Sequence, residues 1–510
     1  MRRRPRRDPL SGSGPASRPR GRWPARDISL AAACLLLLTF VLQPASLPSP
    51  LSQGRLSLSA LAGPGISAAG RATPHSGVAF AFHPSGREVE ATIEPPRFAL
   101  LPTGHNALEP TLGVDGAGSA FLIATDPAQR PLTPSEALRS TDGGESWEVV
   151  TPTVGGQRLH RDSHDPYLHV DEDTDRVFMA DYIPGCTDLS FTDDGGTTWN
   201  NTAELCGLGD HETMFTGRPT TSTTIGYDNV VYYCAIDGFA VATAAASCVK
   251  SLDGGLTFVR TGDAPFRDPG PTGPGFLFDG QCLGFIGHGT TGPDGTLYVP
   301  RNWCGQPFVA ISDDEGFSWD RVQVSDIGVA EGGSNLDHDS AVAVDAVGNI
   351  FYSWAGPDLL PYLSVSTDGG TTWSEPLNVA PPGLKTATLI ALDATATGTV
   401  AMSFYGSTVN GFGPGVWDGY MMLIPDALDA DPLIYAARLN PADDPLEGDC
   451  SSATCRAARE FIDVAIAPDG SVWAPFVDAC FDGLCDQGGI DLGVAYTPGV
   501  GEAVVGRLVP

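Results

Sequence analysis

Between residues 140 and 373 the pattern Ser/Thr-x-Asp-x-Gly-x-x-Trp/Phe occurs five times, and this repetition restricts the fold more than any other feature of the chain. The copies are Ser140-Thr-Asp142-Gly-Gly144-Glu-Ser-Trp147, Thr192-Asp-Asp194-Gly-Gly196-Thr-Thr-Trp199, Ser251-Leu-Asp253-Gly-Gly255-Leu-Thr-Phe258, Ser312-Asp-Asp314-Glu-Gly316-Phe-Ser-Trp319 and Ser366-Thr-Asp368-Gly-Gly370-Thr-Thr-Trp373. Their starts lie 52, 59, 61 and 54 residues apart. Each octet reads as a tight hairpin: the Asp carboxylate accepts amide bonds across the turn, a Gly supplies a positive φ, and the aromatic residue anchors the next strand. A motif at this period marks stacked supersecondary units.

A second motif precedes each box, with period-2 apolar residues, an acidic or Gly turn, and another apolar strand. It reads Thr111-Leu-Gly-Val-Asp115 before Phe121, Tyr167-Leu-His-Val-Asp171 before Val177, and Ser340-Ala-Val-Ala-Val-Asp345 before Ile350. The third and fourth units carry it less regularly, as Ile225-Gly-Tyr-Asp228 before Val231 and Pro293-Asp294 before Leu297. It returns after the last box as Leu389-Ile-Ala-Leu-Asp393 and Val464-Ala-Ile-Ala-Pro-Asp469. Seven units of four strands, lettered A to D from the inside outward, predict an all-β, seven-bladed β-propeller. Six blades would require one of the two box-less units to be something else. The 62 Gly and 43 Pro, spread along the chain, fit many turns and little helix.

The N-terminus divides differently. Residues 1–45 hold nine Arg and the apolar run Ile28–Leu42, whose length suits a signal peptide and falls short of the about 20 residues of a membrane span. The expectation is a signal peptide or signal anchor, then a Pro/Ser/Gly-rich linker over 46–75, then one propeller domain over 76–510, secreted or otherwise extracytoplasmic. The net charge of −32 disfavours nucleic acid and anionic membrane surfaces as partners. An even ten cysteines beyond Cys34 favour disulfides, and the couples expected from proximity are Cys186/Cys206, Cys234/Cys248, Cys282/Cys304, Cys450/Cys455 and Cys480/Cys485. Nearly all fall in D-to-A or B-to-C connections, on the face opposite the boxes. Loops ordered in advance on one face suit binding.

The boxes, over roughly residues 105–505, resemble the Asp-box (BNR-repeat) sialidase-like family. That resemblance implies a propeller acting on or binding glycans at the channel mouth and, if catalytic, an exo-glycosidase of sialidase type. It also implies an Arg triad, one member in a Phe/Tyr-Arg-Ile-Pro motif, and a Tyr nucleophile paired with a Glu. The Arg motif does not occur: Arg97 stands in Pro-Pro-Arg97-Phe-Ala. The candidate grips on the loop face are Arg161, Arg218, Arg301 and Arg459. The alternative is a non-catalytic glycan- or protein-binding propeller whose box residues Asp142, Asp194, Asp253, Asp314 and Asp368 are scaffold.

Aligning the inner strands brings Glu109, Asp165, His288, Asp339 and Asp463 into register at the channel, with Glu212 in an equivalent place. Three of the carboxylates follow a His: His164-Asp165, His211-Glu212 and His338-Asp339. Converging carboxylates repel, so some hold protons or share a cation. Asp165, Glu212 and Asp339 are thus candidate acid/base groups. No cofactor is required, and a divalent cation such as calcium is the one the ring admits. The plainer reading is that each carboxylate caps amides at its own strand start. Trp303 and Trp354, at B-strand ends, are candidate sugar-stacking residues, with core packing as their alternative. Asp171-x-Asp173-x-Asp175 lacks the Gly and distal Glu of a calcium loop and reads as an acidic hairpin tip.

Overall fold

The computed structural model describes residues 72, 74–90, 94–125, 135–154, 157–158, 163, 165–183, 185–201, 204–209, 211–236, 245–266, 285–303, 305–330, 340–450, 455, 458, 460, 462–480 and 501–509. They belong to one compact unit, Ala68–Pro510. The expected signal segment, and all but the last residues of the linker, lie outside the described residues, as do His164, His338, Asp339, Arg161 and Arg459.

Seven antiparallel sheets form the blades of a propeller. The inner strands are Thr111–Val114, Asp165–Asp171, Thr213–Gly217, Thr290–Thr291, Ser340–Val344, Thr386–Ala394 and Ala465–Ile466. In blades 1 to 6 each is followed in order by its B, C and D strands. Blade 7 is composite. Its B and C strands, Val472–Asp478 and Gly501–Val509, are completed by Arg97–Ala107 from the other end of the chain, with Phe98 opposite Leu508 and Leu100 opposite Gly506. Leu508, Val504 and Val505 are fully buried in this seam, so closing the ring removes a strand edge and an apolar face from water together. Two more short strands, His75–Val78 and Phe80–Phe82, add a fifth strand to blades 7 and 6 respectively.

The five box turns share one hydrogen-bond pattern. In the first, Ser140 Oγ donates to Asp142 at 2.9 Å, Ser146 donates its amide (3.0 Å) and hydroxyl (2.5 Å) to the same carboxylate, and the Gly144 amide donates to Ser140 Oγ at 2.9 Å. Asp194, Asp253, Asp314 and Asp368 repeat it with Thr198, Thr257, Ser318 and Thr372. The Ser146 side-chain and backbone donors hold the Asp142 carboxyl down at about 2. Each Asp is committed to its own turn.

The turns also lock neighbouring blades. Arg139 Nη1 donates to the Gly195 carbonyl at 2.7 Å, and Arg176 Nη1 to that of Gly254 at 2.6 Å. Arg176 lies 4.1 Å from the ring centroid of Phe191 and 4.3 Å from that of Tyr227, and pairs with Asp193. Gly195 and Gly254 have φ of 67° and 71°, and a Cβ at either would meet the clasping Arg at 2.4 Å. The fourth box departs from this. Glu315 replaces the Gly, adopts φ 59°, and inserts its buried carboxylate into the amides of Thr220 (2.8 Å), Thr221 (2.7 Å) and Ser222 (2.8 Å), with Lys250 Nζ at 2.7 Å.

Three disulfides join directly opposed residues, Cys186–Cys206, Cys234–Cys248 and Cys450–Cys455, as expected. Cys480 is also disulfide-bonded. Cys282, Cys304 and Cys485 lie outside the described residues. One detail of the strand reading is corrected. The third inner strand is Thr213–Gly217, and Ile225–Asp228 belongs to the following connection. There Tyr227 reaches back to hydrogen-bond Asp171 and Thr174 of blade 2.

Candidate functional site

All seven inner strands line an axial cavity of about 510 Å³ that includes Tyr167, His169, Glu172, His288, Asp393 and Asp463. Its lining runs into the A-to-B turns, so it opens on the Asp-box face. Toward the loop face a much smaller space of about 30 Å³ is lined by His211, His288, Ser340, Leu389 and Glu460. His288 belongs to both spaces and marks the constriction.

Side chains of one inner strand satisfy amides of the next around this channel. Asp463 accepts from the Leu112 amide at 3.2 Å and Asp393 from that of Ile466 at 2.7 Å. Thr111 Oγ1 accepts from Leu168 at 2.9 Å, and Thr213 Oγ1 from Gly289 at 2.8 Å. An inner strand has one edge without a ladder partner, and these side chains supply acceptors that a neighbouring strand would otherwise provide. Capping does occur, but toward the adjacent blade rather than at the residue's own strand alone.

The channel is acidic enough to shift its own groups. Burial, then the charges of Asp393, Asp173 and Asp171, raises Glu172 to about 7, although water reaches its side chain in the channel. Burial raises Asp393 to about 6 against the amides of Ile466 and Ala394, with Asp463 adding to the rise. His169 is pushed down by burial, against the pull of Asp171 and Asp463, and its Nε2 lies 3.0 Å from Thr216 Oγ1. His288 Nδ1 stands 3.4 Å from Asp463, and its ring meets Tyr167 edge-on at 5.1 Å. Of the expected ring, His288 and Asp463 therefore meet.

A second group lies at the loop-face end. Asp165 is opposite Tyr182 in the blade 2 ladder, and both Asp165 and Glu212 lie close enough to Tyr233 to push its hydroxyl further above its ordinary range, after burial. His211, only 1% exposed, stacks on Phe285 with centroids 3.9 Å apart, and its Nε2 lies 2.9 Å from Glu460. Glu109 and His211, just ahead of two inner strands, have φ of 52° and 56°, and Leu389, at the bulge inside Thr386–Ala394, has φ 55°. Non-Gly residues pay conformational energy there, so surrounding contacts must hold them.

Other expected residues fall elsewhere. Arg218 follows the third inner strand, is exposed, and lines the box-face cavity, on the opposite face from the one anticipated. The cause is the displaced third strand described above. Arg301 is fully buried, 5.4 Å from the Phe266 ring centroid. Trp354 is also fully buried; its Nε1 donates to Gly328 at 3.2 Å and its ring stacks on Tyr362, so it is core. Trp303 packs edge-on against Phe266 and Phe308. Among the described residues, the one set of three His, Cys, Asp or Glu ligand atoms within 4.8 Å is Cys186, Glu204 and Cys206, whose sulfurs are bonded to each other.

Sequence reasoning passed over Phe285 and Glu460, which sit in irregular connections without a repeat register. It also read Asp393 only as a turn residue, although Asp115, Asp171 and Asp345 at the same register gave a signal.

No protein-family model matches this chain, and no curated protein matches it. Among solved structures it is similar to a protein of unknown function from Dyadobacter fermentans (13% identity, 80% of this chain and 97% of that one, TM-score 0.40). It is similar also to the intramolecular trans-sialidase of Ruminococcus gnavus (14%, 74% and 91%, TM-score 0.37) and to the Aleuria aurantia lectin (11%, 67% and 98%, TM-score 0.40). At these values the fold assignment stands on the strand ladders themselves.

Proposed function

We propose that this protein is an extracytoplasmic Asp-box propeller that binds glycans on its loop face, without hydrolysing sialosides. The observation that carries the reading is the His211–Phe285 stack beside Glu460, with Glu212 and Asp165 close by. Phe285, half-buried and backed by the buried His211 ring, suits the C–H face of a sugar, and the half-buried Glu460 carboxylate suits its hydroxyls. Strained backbone at Glu109 and His211, just ahead of two inner strands, supports a ligand there. The placement of Arg218 and Arg301 leaves neither available to grip a sialic acid carboxylate from the loop face, which weighs against sialidase chemistry. The reading needs no cofactor; calcium enters only as a counter-ion for Glu172 and Asp393.

A second reading, exo-glycoside hydrolysis, draws support from the grouping of Asp165 and Glu212 with Tyr182 and Tyr233. Both are tested by titrating the protein against neutral, amino and sialylated oligosaccharides, alongside fluorogenic exo-glycoside substrates. Binding of a neutral or amino sugar that His211→Ala weakens about ten-fold or more is expected. Turnover of a sialoside would overturn the first reading in favour of the second, and neither binding nor turnover would remove both.

A further inference from the structure

The three disulfides with both cysteines among the described residues differ in one respect that bears on the loop face. Cys234, Cys248, Cys450 and Cys455 are each at most 2% exposed, whereas Cys206 is exposed and Cys186 half-buried. The exposed bond fastens the connection from blade 2 to blade 3. Beyond it, that connection is held further on by the Gly209 amide on the Ile236 carbonyl at 2.8 Å and by Leu208, 1% exposed, while the stretch up to Gly207 rests on the register pairs Cys186↔Cys206 and Thr187↔Leu205 and a Gly207 amide bond to the Gly185 carbonyl at 2.9 Å. Two register pairs without a covalent link are marginal in water. Five residues further on the same connection carries His211, then Glu212, at the start of the third inner strand.

We propose that Cys186–Cys206 is a redox-sensitive latch, gated by Glu204, whose reduction by a dithiol frees the 204–207 stretch that leads to His211. The reaction is thiol–disulfide exchange. A thiolate of the dithiol attacks Cys206 Sγ, and the S–S electron pair leaves on Cys186 Sγ, which takes a proton from water. The second thiol of the reductant then displaces Cys206, leaving two cysteine thiols and an oxidised cyclic disulfide. Accessibility selects this bond, since a buried disulfide cannot be reached without local unfolding. A Glu204 oxygen lies within 4.8 Å of both sulfurs, and its charge opposes both the approaching thiolate and the departing one. Glu204 therefore sets how readily the latch opens. The freeing of this stretch stands by itself; only a consequent loss of sugar binding rests on the proposed function.

The test uses the full oxidised chain in graded dithiothreitol, with alkylation and peptide mass spectrometry at intervals and hydrogen exchange on the same samples. Cys186 and Cys206 are expected to be alkylated about ten-fold sooner than the two buried pairs. Exchange over 204–207 should rise in step while Gly209 and Val230–Ile236 stay protected. Glu204→Gln should open about three-fold faster. A Cys186→Ser/Cys206→Ser variant should show the open exchange pattern without reductant; if it does not fold, the dithiol experiment decides. Equal alkylation rates for Cys186–Cys206 and these two buried pairs, or unchanged exchange over 204–207 after reduction, would overturn the latch. Loss of sugar binding is scored separately, so failure of the glycan reading leaves these outcomes unaffected.

Discussion

Asp393 of blade 6 accepts the Ile466 amide of blade 7 at 2.7 Å while its own carboxyl is raised to about 6, so one side chain both stitches the ring and stands in a repulsive channel. Removing it leaves an inner-strand amide without its acceptor. Asp393→Ala should lower stability by about 1–3 kcal/mol in chemical denaturation. It should also bring Glu172 back toward its ordinary range, because the leading charge acting on it is gone. An unchanged denaturation midpoint would show that water replaces the carboxylate without cost.

The raised groups fix the sign of one pH dependence. Glu172 goes from 4.5 to about 7 and Asp393 from 3.8 to about 6 on folding, so the folded chain binds their protons more tightly than the unfolded chain. Their contribution is complete below the unfolded values and is lost as pH rises through the folded ones. Thermal scans should show Tm falling from about pH 5 to about pH 8, and Glu172→Gln should flatten that slope. A Tm that climbs over this interval in the parent and variant alike would contradict the channel electrostatics.

Glu315 has the opposite sign. Burial alone would raise its carboxyl, but Lys250, Ser222 and Thr221 outweigh it and hold it at about 2. This stabilisation is present above the unfolded value of 4.5 and disappears as pH falls toward 2. Glu315→Gln leaves amides and the Lys250 ammonium short of a charged partner, and should cost about 2–4 kcal/mol near neutral pH. Glu315→Gly restores the Asp-Gly-Gly box and relieves the positive φ, yet it should also destabilise, since the acceptor for three amides is gone. Denaturation of both variants at pH 7 checks this.

Arg176 reads as a clasp between blades 2 and 3, through Asp193, the Gly254 carbonyl and two aromatic faces. Arg176→Ala should cost about 1–3 kcal/mol, and Arg176→Lys should recover little because an ammonium cannot make the forked pair while stacking. Full recovery by Lys would mean that charge alone matters there.

How much was legible in the sequence follows from the range of each interaction. Asp142 bonds Ser140 and Ser146 within its own turn, so the box could be recognised from neighbouring letters, and five copies then implied the blades. Cys186/Cys206, Cys234/Cys248 and Cys450/Cys455 were also readable, since each couple spans one connection of a regular unit. The register of His288 with Asp463 followed from the same periodicity. Arg218 was misplaced where the repeat is least regular, and only the ladder of Thr213–Gly217 on Val230–Cys234 places the third inner strand ahead of it. Phe285 and Glu460 reach His211 across 74 and 249 residues, distances at which no local pattern records a partner. Ring closure by Arg97 against Val509, and the crowding of Glu172 with Asp393, likewise exist only when the blades stand around one axis. The sequence alone determined the turns, the repeat and hence the kind of fold, because those are set by bonds between near neighbours. The tertiary structure decided which charges share the channel and what meets at its loop-face end, because burial and repulsion act between residues the chain keeps far apart.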